Sequence, residues 1–416
     1  MRILFLVNSF PKISETFILS QVTGMIDRGH DVRIFARRSS SEEDRHRDVE
    51  RYGLMERTTT VNPPENMLYR LISAGVLIPK GILEMPRRTL ESLRFRRYHR
   101  EALSLRLLHY AAAFTHEDVD VLVCHFGHNG NLGAFLKRTG LDVRVVTMFH
   151  GSDVRQAKNG SKNIYEPALE ESDVILGNSR KTMDELVSLG ADDSKVHWHP
   201  VGVDPDMFYT PRNKESEDDA VTITTVARLV EEKDVETAIR AIAELISKAV
   251  GTDVRYRIVG DGPKRESLEN LTRKLGLEDV VQFEGQVERR RVSEFLSTTD
   301  IFLLTSVEEA FGLALVEAQA AGVPVVATSV GGIPEAVAAG DSATLVPPRN
   351  PERTAEQLAH LSRQPGLRSE MGARGHRFVV ENFDVDVLND EFESLLRGTG
   401  ECSHDDERIA REGGRQ

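Results

Sequence analysis

The sequence predicts an α/β protein built from two doubly wound domains. Short apolar runs of strand length alternate with segments of helix length, and strand–helix–strand is the basic unit of a doubly wound parallel sheet. This alternation occurs twice, before and after a charged segment rich in Pro and Asp at residues 200–220. The length of 416 residues also exceeds that of a typical single core. Two similar halves joined by one linker imply a cleft between them.

In the first half, five apolar runs bounded by polar residues are typical of strands buried on both faces of a parallel sheet. They are RILFLVNS, DVRIFAR, VDVLVCHF, DVRVVTMFHG and SDVILGNS. Between the first two runs, residues 14–30 predict a helix with Ser14 as its N-terminal cap and a glycine at its end. The start of the chain is apolar but has no cleavable-signal pattern and is too short to cross a bilayer. We interpret it as a buried first strand.

The second half repeats the alternation after the linker. Six runs predict strands: VTITTVARLV, VRYRIVGDGP, VVQFEG, DIFLLTS, VPVVATS and ATLVPP. Four segments between them predict helices: DVETAIRAIAELISKAV, KRESLENLTRKLG, RRRVSEFLSTT and FGLALVEAQAAG. Residues 372–397 predict a further helix, whereas the tail at 398–416 has no apolar period and is predicted to be disordered.

Composition excludes several classes of protein. The formal net charge of −13 and the pI of about 5.6 argue against a general nucleic-acid-binding protein, so no nucleic acid is expected as a partner. Cys124 and Cys402 are the two cysteines of the chain, and they indicate neither a disulfide framework nor a zinc site. This composition fits a reducing cytoplasm. No apolar segment reaches the length of a membrane helix.

One apolar segment contains a carboxylate that needs an explanation. Residues 306–337 read SVEEAFGLALVEAQAAGVPVVATSVGGIPEAV, and the helix predicted within them is apolar on every face except at Glu317 and Gln319. Burying a carboxylate without a partner costs several kcal/mol. Glu317 therefore needs partners, for which backbone amides, a cation or a ligand hydroxyl all qualify. Spacing alone fits a structural carboxylate as well as a ligand-binding one.

The surroundings of Glu317 resemble the E-x7-E signature of retaining glycosyltransferases of family 4, the group 1 glycosyltransferases, which have the GT-B fold. The match runs from Glu309 through AFG to Glu317 and on through AQAAGVPVVATSVGGIPE. Further family marks are FHGSD with His150, VARLVEEKD with Arg228 and Lys233, and IVGDGP with Gly260 and Gly262. The resemblance covers residues 1–396. The stretch SFPKISETFI is similar to the subgroup that builds extracellular polysaccharides such as colanic acid or amylovoran.

Three positions depart from the family pattern. NSFPKISET stands where many members have a Gly-Gly pair, Lys233-Asp234 replaces the usual Lys-Gly, and PVGVD replaces PNGVD. None of these changes removes a charge from the expected donor site. The first leaves the contacts with the acceptor open.

The resemblance implies a division of labour between domains. Residues 1–199 would bind the acceptor, 200–220 would be the linker, 221–375 would bind the nucleotide sugar, and a helix over 376–397 would cross back to the first domain. Glu317 would accept hydrogen bonds from the ribose hydroxyls of the donor. Glu309 would hold the hydroxyls of the donor sugar, and His150 would hydrogen-bond the same sugar from the facing domain. The remaining donor-binding positions are Phe311, Gly312, Leu313, Gly260 and Gly262.

Glycosyl transfer also needs stabilisation of the diphosphate that leaves. The chain has no DxD motif flanked like a metal-binding loop, so we expect no metal and no cofactor beyond a UDP- or GDP-linked donor. Arg228 offers a planar fork for phosphate oxygens and Lys233 a point charge five residues later. The helix that begins near Gly312 adds free backbone N–H groups. Without the glutamate motif, Arg228 and Lys233 would fit a solvated loop with surface ion pairs better than a phosphate site.

Residues 79–110 are locally basic, with eight Lys or Arg against three Glu, and leucines interleave with them. In an acidic protein this pattern indicates a basic amphipathic surface that contacts anionic lipid, or a solvated helix pair whose apolar side packs on the first domain. Because lipid-linked oligosaccharides are possible acceptors, we expect a cytoplasmic protein at the inner membrane face. The acceptor side is predicted to include Glu15, Thr16, His125, His128 and Asn129.

Three other functions share features with the glycosyltransferase interpretation. A nicotinamide dehydrogenase would show G-x-G-x-x-G after a strand, and NSFPKISET and VGDGPKRE do not supply it. A sugar-nucleotide epimerase has the same fold class, and a non-catalytic nucleotide-sugar-binding module would keep the same binding residues. The E-x7-E block favours a transferase over both.

Overall fold

The computed structural model shows two compact units. Residues 1–199, together with the chain from Asn389 onward, form the first unit, and residues 200–388 form the second. The structure describes residues 1–12, 15–40, 47–114, 118–160, 162–209, 220–248 and 253–399.

The first unit is built on a parallel sheet of seven strands in the order β3-β2-β1-β4-β5-β6-β7. The five predicted strands appear as β1, β2, β4, β5 and β6, and Ile3 of β1 is paired with Val32 on one side and Val121 on the other. The sequence missed the three-residue strands β3 and β7, because TTT and VHW are too short to show a pattern. The strands are β1 (Arg2–Phe10), β2 (Asp31–Ser39), β3 (Thr58–Thr60), β4 (Val121–His125), β5 (Arg144–Phe149), β6 (Val174–Gly177) and β7 (Val196–Trp198).

The helices of the first unit cover both faces of this sheet. The predicted helix after β1 is present, and Gly29, with φ of +79°, follows its end. Its predicted cap, Ser14, lies outside the described residues. The helices are α1 (Thr16–Asp27), α2 (Arg47–Arg51), α3 (Met67–Glu84), α4 (Pro86–Ser92), α5 (Phe95–Leu103), α6 (Arg106–Ala113), α7 (Gly127–Arg138), α8 (Gly151–Asn159), α9 (Glu166–Glu171) and α10 (Arg180–Ser188).

The second unit is built on a parallel sheet of six strands in the order β10-β9-β8-β11-β12-β13. All six predicted strands and all four predicted helices are present. The strands are β8 (Val221–Val226), β9 (Val254–Val259), β10 (Val281–Gly285), β11 (Ile301–Leu304), β12 (Val325–Thr328) and β13 (Ala343–Val346). The helices are α11 (Pro205–Phe208), α12 (Val235–Ser247), α13 (Arg265–Lys274), α14 (Arg289–Ser297), α15 (Leu313–Ala320), α16 (Ile333–Ala336), α17 (Pro351–Ser362) and α18 (Pro365–Asn382), and α19 (Val385–Arg397) follows.

Both sheets have the same topology. In each, the first strand lies between the second strand and the fourth, so that the order of connection reverses between β1 and β4 and again between β8 and β11. This is the strand order of a Rossmann-like doubly wound sheet, and ligands of such sheets bind at the carboxyl ends of the strands beside the reversal. The predicted fold class, two Rossmann-like domains, is confirmed.

The segments near the unit boundary differ from simple linkers. Residues 200–209 lie in the second unit, where the side chain of Phe208 is fully buried. Residues 210–219, the other half of the predicted linker, lie outside the described residues.

The helix predicted over 372–397 is interrupted between α18 and α19, because the backbone of Val203 inserts between them. Its N–H donates to the carbonyl of Phe383, and its carbonyl accepts from Val385.

From Asn389 onward α19 belongs to the first unit. Phe392, Leu395 and Leu396 are buried in the core cluster of that unit, with residues of β1, β2 and α1. Of the predicted tail, residues 400–416 lie outside the described residues. None of the described helices is long and apolar enough to cross a membrane.

Candidate functional site

The residues predicted to bind the donor lie at one edge of the second sheet. Arg228 and Lys233 follow the carboxyl end of β8, Gly260 and Gly262 follow β9, and the 309–317 segment follows β11. These three strands are neighbours in the order β9-β8-β11. The fold therefore brings together residues that are up to 89 positions apart in the sequence, at the point where the strand order reverses.

Lys233 and Glu309 form an ion pair at this edge. The Nζ of Lys233 contacts Oε2 of Glu309, and the hydroxyl of Ser306 lies 3.3 Å from the same oxygen. Both charged side chains are largely buried, with 18% and 12% of their surface exposed. The backbone supports the pair, because the N–H of Val307 donates to the carbonyl of Glu232 at 2.9 Å. The structure thus joins the predicted phosphate-binding lysine to the predicted sugar-binding carboxylate.

The backbone around this ion pair is shaped by residues in the left-handed region. Asp234 has φ of +43° and ψ of +47°, which explains why the family favours Gly after the lysine. Gly331 has φ of +58°, and a Cβ added there would lie 1.7 Å from the carbonyl oxygen of Glu309. The next residue, Gly332, donates its N–H to that same oxygen at 3.0 Å. The loop after β12 therefore fixes the backbone of Glu309.

Glu317 lies on α15 with 7% of its surface exposed, and its partner is Arg289 at the start of α14. The Nε of Arg289 donates to Oε1 of Glu317 at 3.0 Å. The guanidinium carbon also lies 5.5 Å from the centre of the Phe208 ring, a cation–π contact. Burial raises the pKa of Glu317, and the charge of Arg289 opposes that shift. Of the partners that the sequence left open, the structure provides a cation.

This ion pair leaves polar atoms for a ligand. Within the described chain, Oε2 of Glu317 has no hydrogen-bond partner, and Nη2 of Arg289 is buried without one. Sequence reasoning missed Arg289. It is one of three consecutive arginines in VERRR, and which of the three faces α15 depends on the orientation of α14, a feature that the pattern does not reveal.

The remaining donor-side predictions have mixed surroundings. Arg228 is exposed and forms no ion pair with a described residue. Gly312, with φ of +98°, opens α15, and Leu313 is half-buried beside it. Phe311 is buried and packs edge-on against Phe383, with 5.4 Å between ring centres. The role of Phe311 in donor binding stays a prediction.

The two glycines after β9 are in contact with the protein's own backbone. A Cβ at Gly260 would lie 1.9 Å from the carbonyl oxygen of Ala227, and one at Gly262 would lie 2.5 Å from that of Leu229. These contacts explain both glycines through the close approach of two loops. Their contact with a nucleotide stays a prediction.

In the first unit, His125 and His150 lie together, although the sequence assigned them to different substrates. Their rings stack with centres 5.7 Å apart, and Nδ1 of His125 is 3.4 Å from Nε2 of His150. The backbone N–H of His150 donates to a carboxylate oxygen of Asp153 at 3.0 Å, and the N–H of Asp153 donates to the carbonyl of His150 at 2.9 Å.

Two residues that the sequence did not identify complete this cluster. Nε2 of Gln21 lies 3.1 Å from Nε2 of His199, whose ring, if protonated, would repel a positive charge on His125. Burial lowers the pKa of His150 to about 3 and that of His199 to about 4, and it lowers the pKa of His125 well below its usual range. The three imidazoles are therefore neutral at pH 7. Nε2 of His125 and Nδ1 of His199 are buried without a partner among the described residues.

The other residues predicted for the acceptor side lie near the carboxyl ends of β1 and β4. Glu15 accepts from Lys12 at 2.6 Å, and Thr16 opens α1. Asn129 is buried and donates to the carbonyl of His125 at 2.7 Å, whereas His128 is half-buried and lies 3.1 Å from the Gln156 amide. Since β1 and β4 are neighbours, these residues share the edge where the first sheet reverses its order.

No metal site is found in the described part of the chain, where no three or more His, Cys, Asp or Glu side chains are grouped to hold an ion.

Comparison with known families identifies both halves of the chain. Residues 14–207 match the model of Glycosyltransferase Family 4, and residues 209–378 match that of the glycosyl transferases of group 1. A putative colanic acid biosynthesis glycosyltransferase, WcaL, of Salmonella typhimurium is 34% identical over 95% of this chain and 100% of its own. The amylovoran biosynthesis glycosyltransferase AmsK of Erwinia amylovora is 32% identical over 87% of this chain and 91% of its own.

The fold also matches solved structures. HepE of Anabaena, solved in complex with UDP, superposes with a TM-score of 0.76 over 96% of this chain and 100% of its own, at 17% identity. The same protein has been solved with UDP-glucose. At this level of identity the match shows the fold alone.

Proposed function

This chain belongs to the glycosyl transferases of group 1 and family 4, and we propose that it moves a sugar from a UDP- or GDP-linked donor to a saccharide or lipid-linked saccharide, with retention of configuration. The pathway is the synthesis of a cell-surface polysaccharide. The names of WcaL and AmsK support the pathway, because both relatives cover most of the chain. The UDP and UDP-glucose bound to HepE support a nucleotide-sugar donor.

The observation that carries this proposal is the pair of carboxylates at the edge of the second sheet, each held by its own cation. Glu309 is paired with Lys233, and Glu317 is paired with Arg289. In the proposed complex, Oε2 of Glu317 accepts hydrogen bonds from the ribose diol. Glu309 receives the hydroxyls of the donor sugar and stabilises positive charge that develops on its ring.

Lys233 and Arg228 have separate tasks in the proposed reaction. Arg228 is exposed on the loop after β8, five positions before Lys233, and binds the phosphate oxygens of the donor. Lys233 holds Glu309 in the free enzyme and neutralises the diphosphate as it leaves, together with the N–H groups at the start of α15. We propose that these cations do the work of a metal ion.

Retention follows from a front-face reaction in this proposal. The bond between the anomeric carbon and the diphosphate oxygen breaks, and the acceptor oxygen forms its bond on the same face of the sugar. The proton of the acceptor passes to the departing phosphate. Double displacement needs a free carboxylate beneath the anomeric carbon, whereas Glu309 is already held by Lys233 and Ser306.

Substitution of each glutamate tests the assignment. Glu317→Gln should weaken UDP or GDP binding and raise KM for the donor, because ribose contacts persist in ground and transition states. Glu309→Gln should mainly lower kcat, by roughly 100-fold. Glu308→Gln, at an exposed neighbouring carboxylate, is the matched control. If both glutamate variants bind nucleotide and turn over like the wild type, the proposed site is wrong.

Removal of metal tests the leaving-group proposal. Activity should survive EDTA, and Arg228→Ala should reduce kcat/KM by roughly 100-fold, the scale of one lost charge-stabilising group. Arg290→Ala, at an exposed arginine of α14, should have no such effect. Loss of all activity in EDTA, with recovery on addition of Mg²⁺ or Mn²⁺, would contradict the proposal. It would mean that a metal ion, and not Arg228 and Lys233, stabilises the leaving diphosphate.

We also propose that the enzyme works at the cytoplasmic face of a membrane through its basic stretch 79–110. Seven of the eight basic side chains of this stretch are exposed, which supports contact with an anionic surface.

A quadruple change to Gln at Arg94, Arg96, Arg97 and Arg100 should weaken salt-sensitive binding to anionic vesicles. The control carries the same charge change at exposed positions of the second unit: Arg240, Arg273, Arg353 and Arg363. Equal sedimentation of both variants with the vesicles would refute the electrostatic contact.

A further inference from the structure

Helix α3 turns its apolar side chains to the outside of the molecule. Of its 18 residues, Arg70 and Ala74 are the buried ones. Eleven of the nineteen exposed large apolar side chains found in the described chain lie between residues 67 and 103, most of them on this helix. Scattered exposed apolar residues are normal in soluble proteins, but a concentration in one helical region marks an interaction surface.

The exposed side chains of α3 form a continuous stripe, here called the α3 stripe. Leu68, Ile72, Val76 and Leu83 are separated by four, four and seven positions, which places them on one side of a helix with 3.6 residues per turn. They are exposed by 62%, 61%, 70% and 86%. A helix of a soluble domain normally presents such a stripe to the core, so the orientation of α3 is the reverse of the usual one.

Contacts on the inner side of α3 hold this orientation. The hydroxyl of Ser73 lies 2.7 Å from Nε2 of His109 on α6, and the other nitrogen of that ring lies 2.8 Å from the carbonyl of Leu105. A Cβ at Gly81 would lie 2.4 Å from the Thr89 hydroxyl, so α3 and α4 approach closely there. With this side fixed to α4 and α6, the helix cannot rotate to bury its stripe.

Basic side chains accompany the apolar ones on α5, which also packs on α6. Arg96, Arg100 and Leu103 are exposed at spacings of four and three, and Phe95 beside them is exposed as well. Helices α3 and α5, which both pack on α6, therefore expose large apolar groups together with cations. A second copy of the chain would bring two such basic surfaces together, and the like charges would repel. An anionic lipid surface matches both properties.

We propose that the α3 stripe inserts into the headgroup region of an anionic membrane, with the arginines of α5 on the lipid phosphates. This inference deepens the membrane contact proposed above and adds a second force to it, burial of apolar surface, which salt does not screen. Binding by the basic stretch alone would disappear at high salt. Binding that includes the α3 stripe keeps a salt-resistant part. Neither kind of membrane binding, by the basic stretch or by the α3 stripe, depends on the transferase activity.

The decisive variant makes the stripe polar: Leu68→Ser, Ile72→Ser and Val76→Ser together. Its control makes the same change at exposed apolar positions elsewhere: Val187→Ser, Leu275→Ser and Val380→Ser. Both proteins are sedimented with vesicles of phosphatidylglycerol and phosphatidylcholine at low salt and at about 0.5 M salt. We expect the stripe variant to lose the salt-resistant part, with partitioning at least about tenfold weaker, while the control binds like the wild type. Unchanged melting temperatures show that both variants fold.

A second measurement reports insertion directly. In an Ile72→Trp variant, tryptophan emission should shift to the blue when anionic vesicles are added, relative to the wild type with its single Trp198. Salt-resistant binding by the stripe variant, or no shift for Ile72→Trp, overturns the proposal. A third result would also overturn it: sedimentation equilibrium shows that the wild type is a dimer and the stripe variant a monomer, and this variant still binds vesicles. A second copy of the chain, and not lipid, would then cover the stripe. The electrostatic contact is tested separately, because the quadruple arginine variant should lose only the salt-sensitive part of vesicle binding.

Discussion

At the scale of single residues, Glu317 is a buried carboxylate whose charge is balanced by Arg289. Its position in an apolar helix is visible in the sequence, and burial without a partner is too costly to persist. The need for a partner was therefore predictable. The identity of the partner was not, because Arg289 is 28 positions away and reaches Glu317 through the packing of two helices. The same limit hid His199 and Gln21, which lie far apart in sequence and contact each other in the fold.

Removal of the Arg289 charge should change both the affinity for nucleotide and its dependence on pH. In Arg289→Gln the burial of Glu317 is no longer opposed, so the pKa of that carboxyl rises further. A larger fraction is then protonated at lower pH, and a protonated carboxyl loses one acceptor for the ribose. We expect UDP or GDP affinity to fall about tenfold at pH 8 and further at pH 6, measured by calorimetric titration.

The control for this prediction is Arg291→Gln on the same helix. Arg291 is 62% exposed and pairs with Glu294 on the surface, so its loss removes a charge without touching Glu317. An affinity loss in Arg289→Gln that is identical at both pH values would show a purely structural effect. It would contradict the role of Arg289 in keeping Glu317 ionised.

The histidine cluster predicts loss of stability in acid. His125, His150 and His199 stay neutral in the folded chain to well below pH 6.5, whereas in the unfolded chain each takes up a proton near pH 6.5. As pH falls below 6.5 the unfolded state binds more protons, so the free energy of unfolding decreases. Burial raises the pKa of Asp153 to about 6, and this group offsets about one of the three protons between pH 6 and 4.

The net effect of about two protons corresponds to a slope of at most about 2.7 kcal/mol per pH unit. It can be measured as the change of unfolding free energy between pH 6.5 and 4.5. His199→Gln should reduce the slope by about one proton, whereas His360→Gln, at an exposed histidine, should leave it unchanged. An identical slope in all three proteins would mean that His199 titrates normally in the folded chain.

At the scale of elements, the long apolar strands were predictable and the irregular joins were not. Strands buried on both faces give continuous apolar runs, and eleven such runs became strands of the two sheets. The interruption between α18 and α19 has no such signal. It arises because Val203, which lies 180 positions before Phe383, hydrogen-bonds to both sides of the break. The loop after β12 was only partly predictable. Its two glycines are visible in the sequence, but their contact with the backbone of Glu309 is not.

Gly331→Ala should displace Glu309, the proposed catalytic carboxylate, through the backbone. A Cβ at this position would meet the carbonyl oxygen of Glu309 at 1.7 Å, and the left-handed backbone adds about 1–2 kcal/mol of strain. Gly340→Ala is the matched control, because Gly340 has φ of +83° and open space around the added Cβ. Both variants should lose stability from the strain, measured by denaturant unfolding. A fall in kcat of tenfold or more should appear in Gly331→Ala alone. Equal activities would show that the β12 loop does not position Glu309.

At the scale of the whole molecule, two sheets of the same strand order are combined with a chain that returns to its first unit. The duplication was predictable from the repeated alternation of strands and helices. The place where α19 joins the first unit was not, because amphipathic spacing shows that a helix packs but not on which sheet. The structure places its apolar side against the first sheet, and Arg28 and His30 contact Asp390 and Glu393 of this helix.

Truncation of Phe392 should therefore destabilise the first unit, although the residue lies near the end of the chain. Phe392 is fully buried in the core cluster of that unit, and its ring stacks on His199 with centres 5.2 Å apart. Phe392→Ala should cost about 3–5 kcal/mol, which lowers the melting temperature of a unit of this size by roughly 10 °C. Val387→Ala, on the same helix but 43% exposed, should shift it little.

Calorimetry at two pH values can assign this effect to one unit, because a chain of two units need not unfold in one step. The histidine cluster lies entirely in the first unit, so acidification from pH 7 to 5 should lower the transition of that unit more than the other. Phe392→Ala should lower the same acid-sensitive transition and leave the second near its wild-type temperature. A shift confined to the acid-insensitive transition would place the end of the chain in the core of the second unit instead.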